Sequence, residues 1–145
     1  MPRKATCALL IASLAMLALP AGPGGARADT IHEGHTIYGH AVWTAAGNDH
    51  IVTGTIAIHG DGSLTIGDGC VVRFETGTYL NVNGTLSALG TSGDGVLFTR
   101  RDATDEWSGL SYNSTSGGLL QYCTIEHATR YDGIALYANG AMPAI

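Results

Sequence analysis

Gly62-Ser-Leu-Thr-Ile-Gly-Asp-Gly-Cys-Val-Val-Arg-Phe74, followed by Leu80-Asn-Val-Asn-Gly-Thr-Leu-Ser-Ala-Leu-Gly90 and Val96-Leu-Phe-Thr99, alternates apolar and polar side chains with a period of two. Such alternation puts successive side chains on opposite faces of an extended strand. The runs are short, and glycine corners cut them every seven or eight residues at Gly54-Thr55, Gly62-Ser63, Gly69-Cys70, Gly77-Thr78 and Gly84-Thr85. Glycine supplies the positive φ of a sharp corner, and the side chains of Asp61, Asp68, Asn83 and Asp94 can bond nearby backbone. The apolar pairs then recur. Ile56/Ile58, Leu64/Ile66 and Val72/Phe74 restart as Leu80/Val82, Leu86/Ala88 and Val96/Phe98, at intervals of 24, 22 and 24 residues. The next turn reads Leu110/Tyr112 and Cys123/Ile125, lengthened by an insertion from Thr99 to Trp107, and a further one begins at Ile134/Leu136. Three short strands per turn at a fixed period predict a solenoid of parallel ladders, each turn about 4.8 Å above the last. A meander of two-residue hairpins would explain the alternation, but it does not predict the restart near 24.

Outward from this stretch the chain changes character. Arg3 and Lys4, the apolar run Ala5 to Leu19, the break at Pro20 to Gly25 and the small-residue site Ala26-Arg27-Ala28 predict a secretory leader over 1–28, cleaved after Ala28. The apolar run is too short for a span of about 20 residues, so no transmembrane segment is expected in the mature chain. Residues 29–52 do not follow the repeat and are expected to form a polar N-terminal cap, with coils filling 53–145. The coil series stops at Ile145 just after a new turn begins. That predicts a fragment of a longer solenoid, or an uncapped end open to end-to-end association.

The 145 residues are 45% hydrophobic and only 13% charged, enough for one folded domain and too apolar for a disordered tail. Cleavage would remove every lysine, leaving Arg73, Arg100, Arg101 and Arg130 against twelve carboxylates, a net charge of −8. A nucleic-acid partner is excluded on that balance, because phosphate binding needs clustered cations. Cys70 and Cys123 share inward parity. The apolar pairs stack Cys123 over Val96 and then Val72, too far from Cys70 for a disulfide, so both are expected as buried free thiols.

The 62–99 stretch, with Trp107-Ser-Gly-Leu110 and Leu120-Gln-Tyr-Cys-Thr-Ile-Glu-His-Ala128, resembles the secreted right-handed parallel β-helix proteins of the pectin-lyase-like superfamily over roughly residues 51–139. The resemblance implies an all-β, right-handed parallel β-helix of about 3–4 coils with an N-terminal cap and an uncapped C-terminal end. That superfamily holds polysaccharide lyases, glycoside hydrolases and adhesin-like surface proteins, so the fold leaves the activity open. Its hydrolases present several Asp with His, Arg and Lys, and its pectate lyases present calcium-binding acids with a basic residue. Neither set is found here: there is no Asn-Thr-Asp, no Asp-Asp pair, no Gly-His-Gly and no lysine after the leader.

No catalytic or metal residues are therefore assigned. The charge-dense insertion is the candidate binding site: Asp102, Asp105 and Glu106 could hold a Ca²⁺ ion, with Arg100 or Arg101 gripping a sugar acid. The competing reading is a solvated loop of offsetting charges. The turns Gly60-Asp-Gly62, Gly67-Asp-Gly69 and Gly93-Asp-Gly95 lack the order of calcium-binding nonapeptides and read as corners. His32, His35, His40 and His50 cluster without zinc-protease spacing and read as structural or polar, while His59 and His127 face solvent. Asn81 and Asn83 flank inward Val82 on the outer face, and the Thr-Gly-Thr repeats at 53–55 and 76–78 read as β-favouring surface. Trp107, Tyr112 and Tyr122 read as core or rim packing. The resulting expectation is an exported, non-catalytic module, secreted or at the cell surface, whose partner is a neutral polysaccharide or another surface component. The alternative is the N-terminal part of a polysaccharide lyase or glycoside hydrolase with its active site beyond residue 145.

Overall fold

The computed structural model describes residues 28–46, 48–129, 135–140 and 143–145, and every regular element among them is a β-strand. The expected leader, apart from Ala28, lies outside the described residues. The first coil is β1 (Thr30–His32), β2 (His35–Ile37) and β3 (His40–Trp43), and the second is β4 (His50–Val52), β5 (Ile56–Ile58) and β6 (Ser63–Ile66). The third is β7 (Val71–Phe74), β8 (Leu80–Val82) and β9 (Thr85–Leu89), and the fourth is β10 (Val96–Arg100), β11 (Leu110–Tyr112) and β12 (Gly117–Gln121). A fifth is entered by β13 (Cys123–Ile125) and β14 (Leu136–Ala138).

These strands stack into three parallel sheets: β1-β4-β7-β10-β13, β2-β5-β8-β11-β14 and β3-β6-β9-β12. The chain is thus a parallel β-helix of about four turns. Inward columns such as Ile56–Leu80–Leu110 and Ile66–Ala88–Leu120 fill its interior. Each fully buried Val, Leu, Ile or Phe side chain contributes roughly 1.5–3 kcal/mol of apolar burial. The column Leu64–Leu86 ends on Gly118, whose φ is +134° and where a Cβ would lie 1.8 Å from the Leu86 carbonyl oxygen. Only glycine fits there.

Three expectations need correction. Residues 30–43 are the first coil rather than a cap outside the repeat: β1, β2 and β3 pair in register with β4, β5 and β6. Their alternation was hidden because polar His32 takes an inward position, paired with Val52, while apolar Val42 takes an outward one, paired with Thr65. Second, Val72 pairs with Phe98 and Phe74 with Arg100, an interval of 26 rather than 24. The corner before β10 runs from Gly90 to Gly95, two residues longer than the 67–70 corner before β7. A slip of two keeps every side chain on its face, so alternation alone could not reveal it. Leu110 likewise pairs with Leu136, and Ile134 lies outside the described residues. Third, the Cys123 column runs over Val96 to Cys70, not to Val72. Val96 separates the two cysteines by two rungs, roughly 9–10 Å, beyond the about 7 Å Cα reach of a disulfide. Both are free; Cys70 is buried and Cys123 half-buried.

At the far end Ala144 pairs with Leu119, continuing the third sheet. An apolar hollow of about 350 Å³ opens beside it, lined chiefly by Leu120, Tyr122, Cys123, Ile125, Leu136 and Ile145. Among the described residues no helix is long and apolar enough to cross a membrane.

Candidate functional site

The insertion between β10 and β11 folds down onto the corner that follows β7. Arg101 forms an ion pair with Glu75, and its N–H donates to the Phe74 carbonyl at 2.8 Å. One Asp105 oxygen accepts from the Thr76 hydroxyl at 2.8 Å and the Thr76 N–H at 3.3 Å, while the other accepts from the Asp102 N–H at 2.9 Å. The Thr76 hydrogen bond, followed by that from Asp102, holds the Asp105 carboxyl below the usual carboxylate range. The Glu106 carbonyl receives the Gly77 N–H at 2.9 Å. Arg100 ends β10 opposite Phe74, half-buried. The structure therefore brings Asp102 and Asp105 together and sends Arg101 to Glu75. Among the described residues no three His, Cys, Asp or Glu side chains converge as metal ligands. What the loop delivers is Trp107, fully buried, its ring stacked on Phe74 at 4.2 Å and its Nε1–H donating to the Glu126 carbonyl at 2.9 Å.

At the opposite end, His32 and Trp43 of the first coil and His50 of the second close the interior. Trp43 lies flat against His32, with ring centroids 4.1 Å apart, and against His50 at 5.1 Å. The His50 Nε2 lies 3.0 Å from the Thr44 carbonyl oxygen, which can only accept, so Nε2 carries the proton. His50 Nδ1 is then the acceptor for His32 Nε2–H at 2.9 Å, an assignment that follows from the network. Burial, and secondarily His50 and His35, lower the His32 pKa to about 4. His35 Nδ1 instead donates to the Glu33 carbonyl at 2.7 Å, and His40 Nδ1 bonds the Ser63 hydroxyl at 2.8 Å. The four histidines divide between a plug and two separate surface bonds.

Charge is segregated around the solenoid. Arg73, Thr99 and Glu126 line the outer face of the first sheet. There Arg73 Nε bonds Asp49 Oδ2 at 2.5 Å and Thr99 Oγ1 bonds Glu126 at 2.8 Å, with the Arg101–Glu75 pair alongside. The outer positions of the second sheet carry Thr36, Ala57, Asn81, Ser111 and Tyr137, and those of the third carry Ser63, Thr65, Thr85 and Ser87 together with apolar Val42 and Leu119. No strand of these two sheets carries a charged side chain outward among the described residues, if its histidines are neutral. At the corner between the sheets Asp61 is the one carboxylate among them, beside His59.

That corner carries a column. The residue after each strand of the second sheet donates its N–H to the rung below: His59 to Ile37, Asn83 to Ile58, Asn113 to Val82 and Asn139 to Tyr112, all at 2.8–2.9 Å. Tyr38 starts the column, 69% exposed, with its ring 5.0 Å from that of His59. The Asn113 amide donates to Asn81 Oδ1 at 2.9 Å and to Asn83 Oδ1 at 2.7 Å. The outward placement of Asn81 and Asn83 was legible in the alternation. Tyr38, Asn113 and Asn139 were not, because the rung intervals at this corner vary with the turns and with the 99–107 insertion. Compared with known proteins, the chain matches no family model, no curated protein and no solved structure.

Proposed function

We propose that this chain is an exported β-helix module of the pectin-lyase-like type that works outside the cell by binding an uncharged polysaccharide, without cleaving it. The observation that carries the reading is the segregation of charge: carboxylates and arginines on the first sheet are engaged with one another, while the other two faces offer hydroxyls and amides. Hydroxyls and amides suit the dense hydroxyl groups of a neutral glycan, and a chain rich in carboxylates repels an anionic one. The three-sheet coils support the superfamily resemblance. The leader pattern at 1–28 and the resulting start at Asp29 support export. The test is to express the full-length gene product, sequence the N-terminus of the exported form, and incubate it with neutral and uronate glycans while assaying for bound protein and for new reducing ends or unsaturated products. Retention on neutral glycan without product supports the reading. Product release, or retention on no neutral glycan, overturns it.

A further inference from the structure

The column at the corner of the second and third sheets has the makings of a linear binding strip. It runs parallel to the solenoid axis over five rungs from Tyr38 to Asn139, roughly 19 Å at about 4.8 Å per rung. One end is an exposed aromatic face, since Tyr38 tilts by 37° against His59. Aromatic rings carry both an apolar face and a polar handle, the combination that stacks on the C–H face of a sugar ring while bonding its hydroxyls. Beyond it lie His59 and the amides of Asn83, Asn113 and Asn139, of which Asn83 and Asn113 are held in fixed orientation because Asn113 spends both of its N–H groups on Asn81 and Asn83. A preorganised row forfeits little side-chain entropy on binding. Asp61 turns its carboxylate to solvent, with its side chain 94% exposed, and adds no cation that would select a uronate.

Resting on the function proposed above, we infer that the Tyr38–His59–Asn83–Asn113 column is the glycan site. Its ligand is an extended, uncharged, β-linked polysaccharide lying along the solenoid axis. Tyr38 forms the stacking platform at one end, and the amides bond successive sugars, whose rise along a flat β-1,4-linked chain is comparable to the rung spacing. A column of this length takes about four sugar units, so tetra- and hexasaccharides should compete for the site and glucose should not.

The experiment is pull-down of the full chain by microcrystalline cellulose and by chitin, with polygalacturonate as the charged control. Tyr38→Ala is expected to weaken retention at least tenfold and Tyr38→Trp to restore it. Thr124→Ala, on the outer face of the first sheet, should leave it unchanged. Thr36→Arg sets a bulky cation at an exposed position two residues from Tyr38 and should also block binding, which keeps the test decisive if Tyr38→Ala is poorly folded. If the wild type is retained but neither Tyr38→Ala nor Thr36→Arg weakens it, with melting curves matching wild type, the strip is wrong and glycan binding stands. If the wild type is retained on neither support, the strip falls, and the proposed function falls with it only when the wider set of neutral glycans retains nothing either.

Discussion

Acidification should loosen the aromatic plug of the first coil, and His32 sets the window. An unfolded histidine takes up its proton near 6.5, whereas folded His32 holds out to about 4. Between those values the unfolded chain binds more protons, so stability is complete above about pH 6.5 and is lost as the pH falls toward 4. At about 1.36 kcal/mol per pH unit the gap between 6.5 and about 4 would be worth at most about 3.4 kcal/mol. His32 is only half-buried, so solvent screening brings the expected loss to about 1.5 kcal/mol. The physical cause is visible in the rings. Burial disfavours a charged His32 first of all: a proton added to it would place a cation in the half-buried stack against Trp43 and His50. The assay is guanidinium denaturation of wild type and His32→Phe at pH 7.5 and pH 4. Comparing the two proteins cancels the carboxylates that titrate in the same range, and Phe keeps a ring against Trp43. Relative to wild type, His32→Phe should gain about 1.5 kcal/mol on going to pH 4. An identical pH dependence in the two proteins, or an NMR titration of His32 centred near 6.5, would refute the reasoning.

Other outcomes follow from packing and backbone geometry. Trp107→Ala removes the fully buried ring that covers Phe74 and should cost about 3–5 kcal/mol in chemical denaturation; a loss below about 1 kcal/mol would mean that the insertion does not serve the core. Tyr122 forms the whole corner between β12 and β13 at φ +47°, a region costly for a side chain and free for glycine. Tyr122→Gly should therefore raise stability by about 0.5–1 kcal/mol, and a clear fall in melting temperature would contradict the strain. In the folded protein Cys70 should resist a thiol reagent until the chain unfolds, and Cys123 should react sooner. Recovery of a Cys70–Cys123 linked peptide would contradict the observed register.

The architecture was legible because inward residues repeat with a parity that no corner of even length disturbs. Ile56 and Ile58 do sit under Leu80 and Val82, and Leu64 and Ile66 under Leu86 and Ala88. What parity conceals is distance along the chain: the longer 90–95 corner shifts Phe98 onto Val72 with no change in pattern. The first coil escaped detection for a different reason. With no rung beyond it among the described residues, its inward positions tolerate His32, whose ring buries a face while its nitrogens find hydrogen bonds. The candidate strip was the least legible part. Its members Tyr38, His59, Asn83, Asn113 and Asn139 lie 21, 24, 30 and 26 residues apart, so only the assembled ladders show them as neighbours. The charged insertion, conspicuous in sequence, proved to be bonded largely to its own corner.

The insertion also changes how the solenoid would come apart. In a repeat protein each coil meets only the coils above and below, and an end peels one turn at a time where those nearest-neighbour contacts are weak. Here a loop of the fourth coil grips the third through Thr76 and Gly77 and the fifth through Glu126 and Thr129. A load applied at the C-terminal end would meet a rivet spanning three turns. The last turns would then resist together and yield as one block, while the His-plugged first turn, outside the rivet's reach, would be the place where fraying starts.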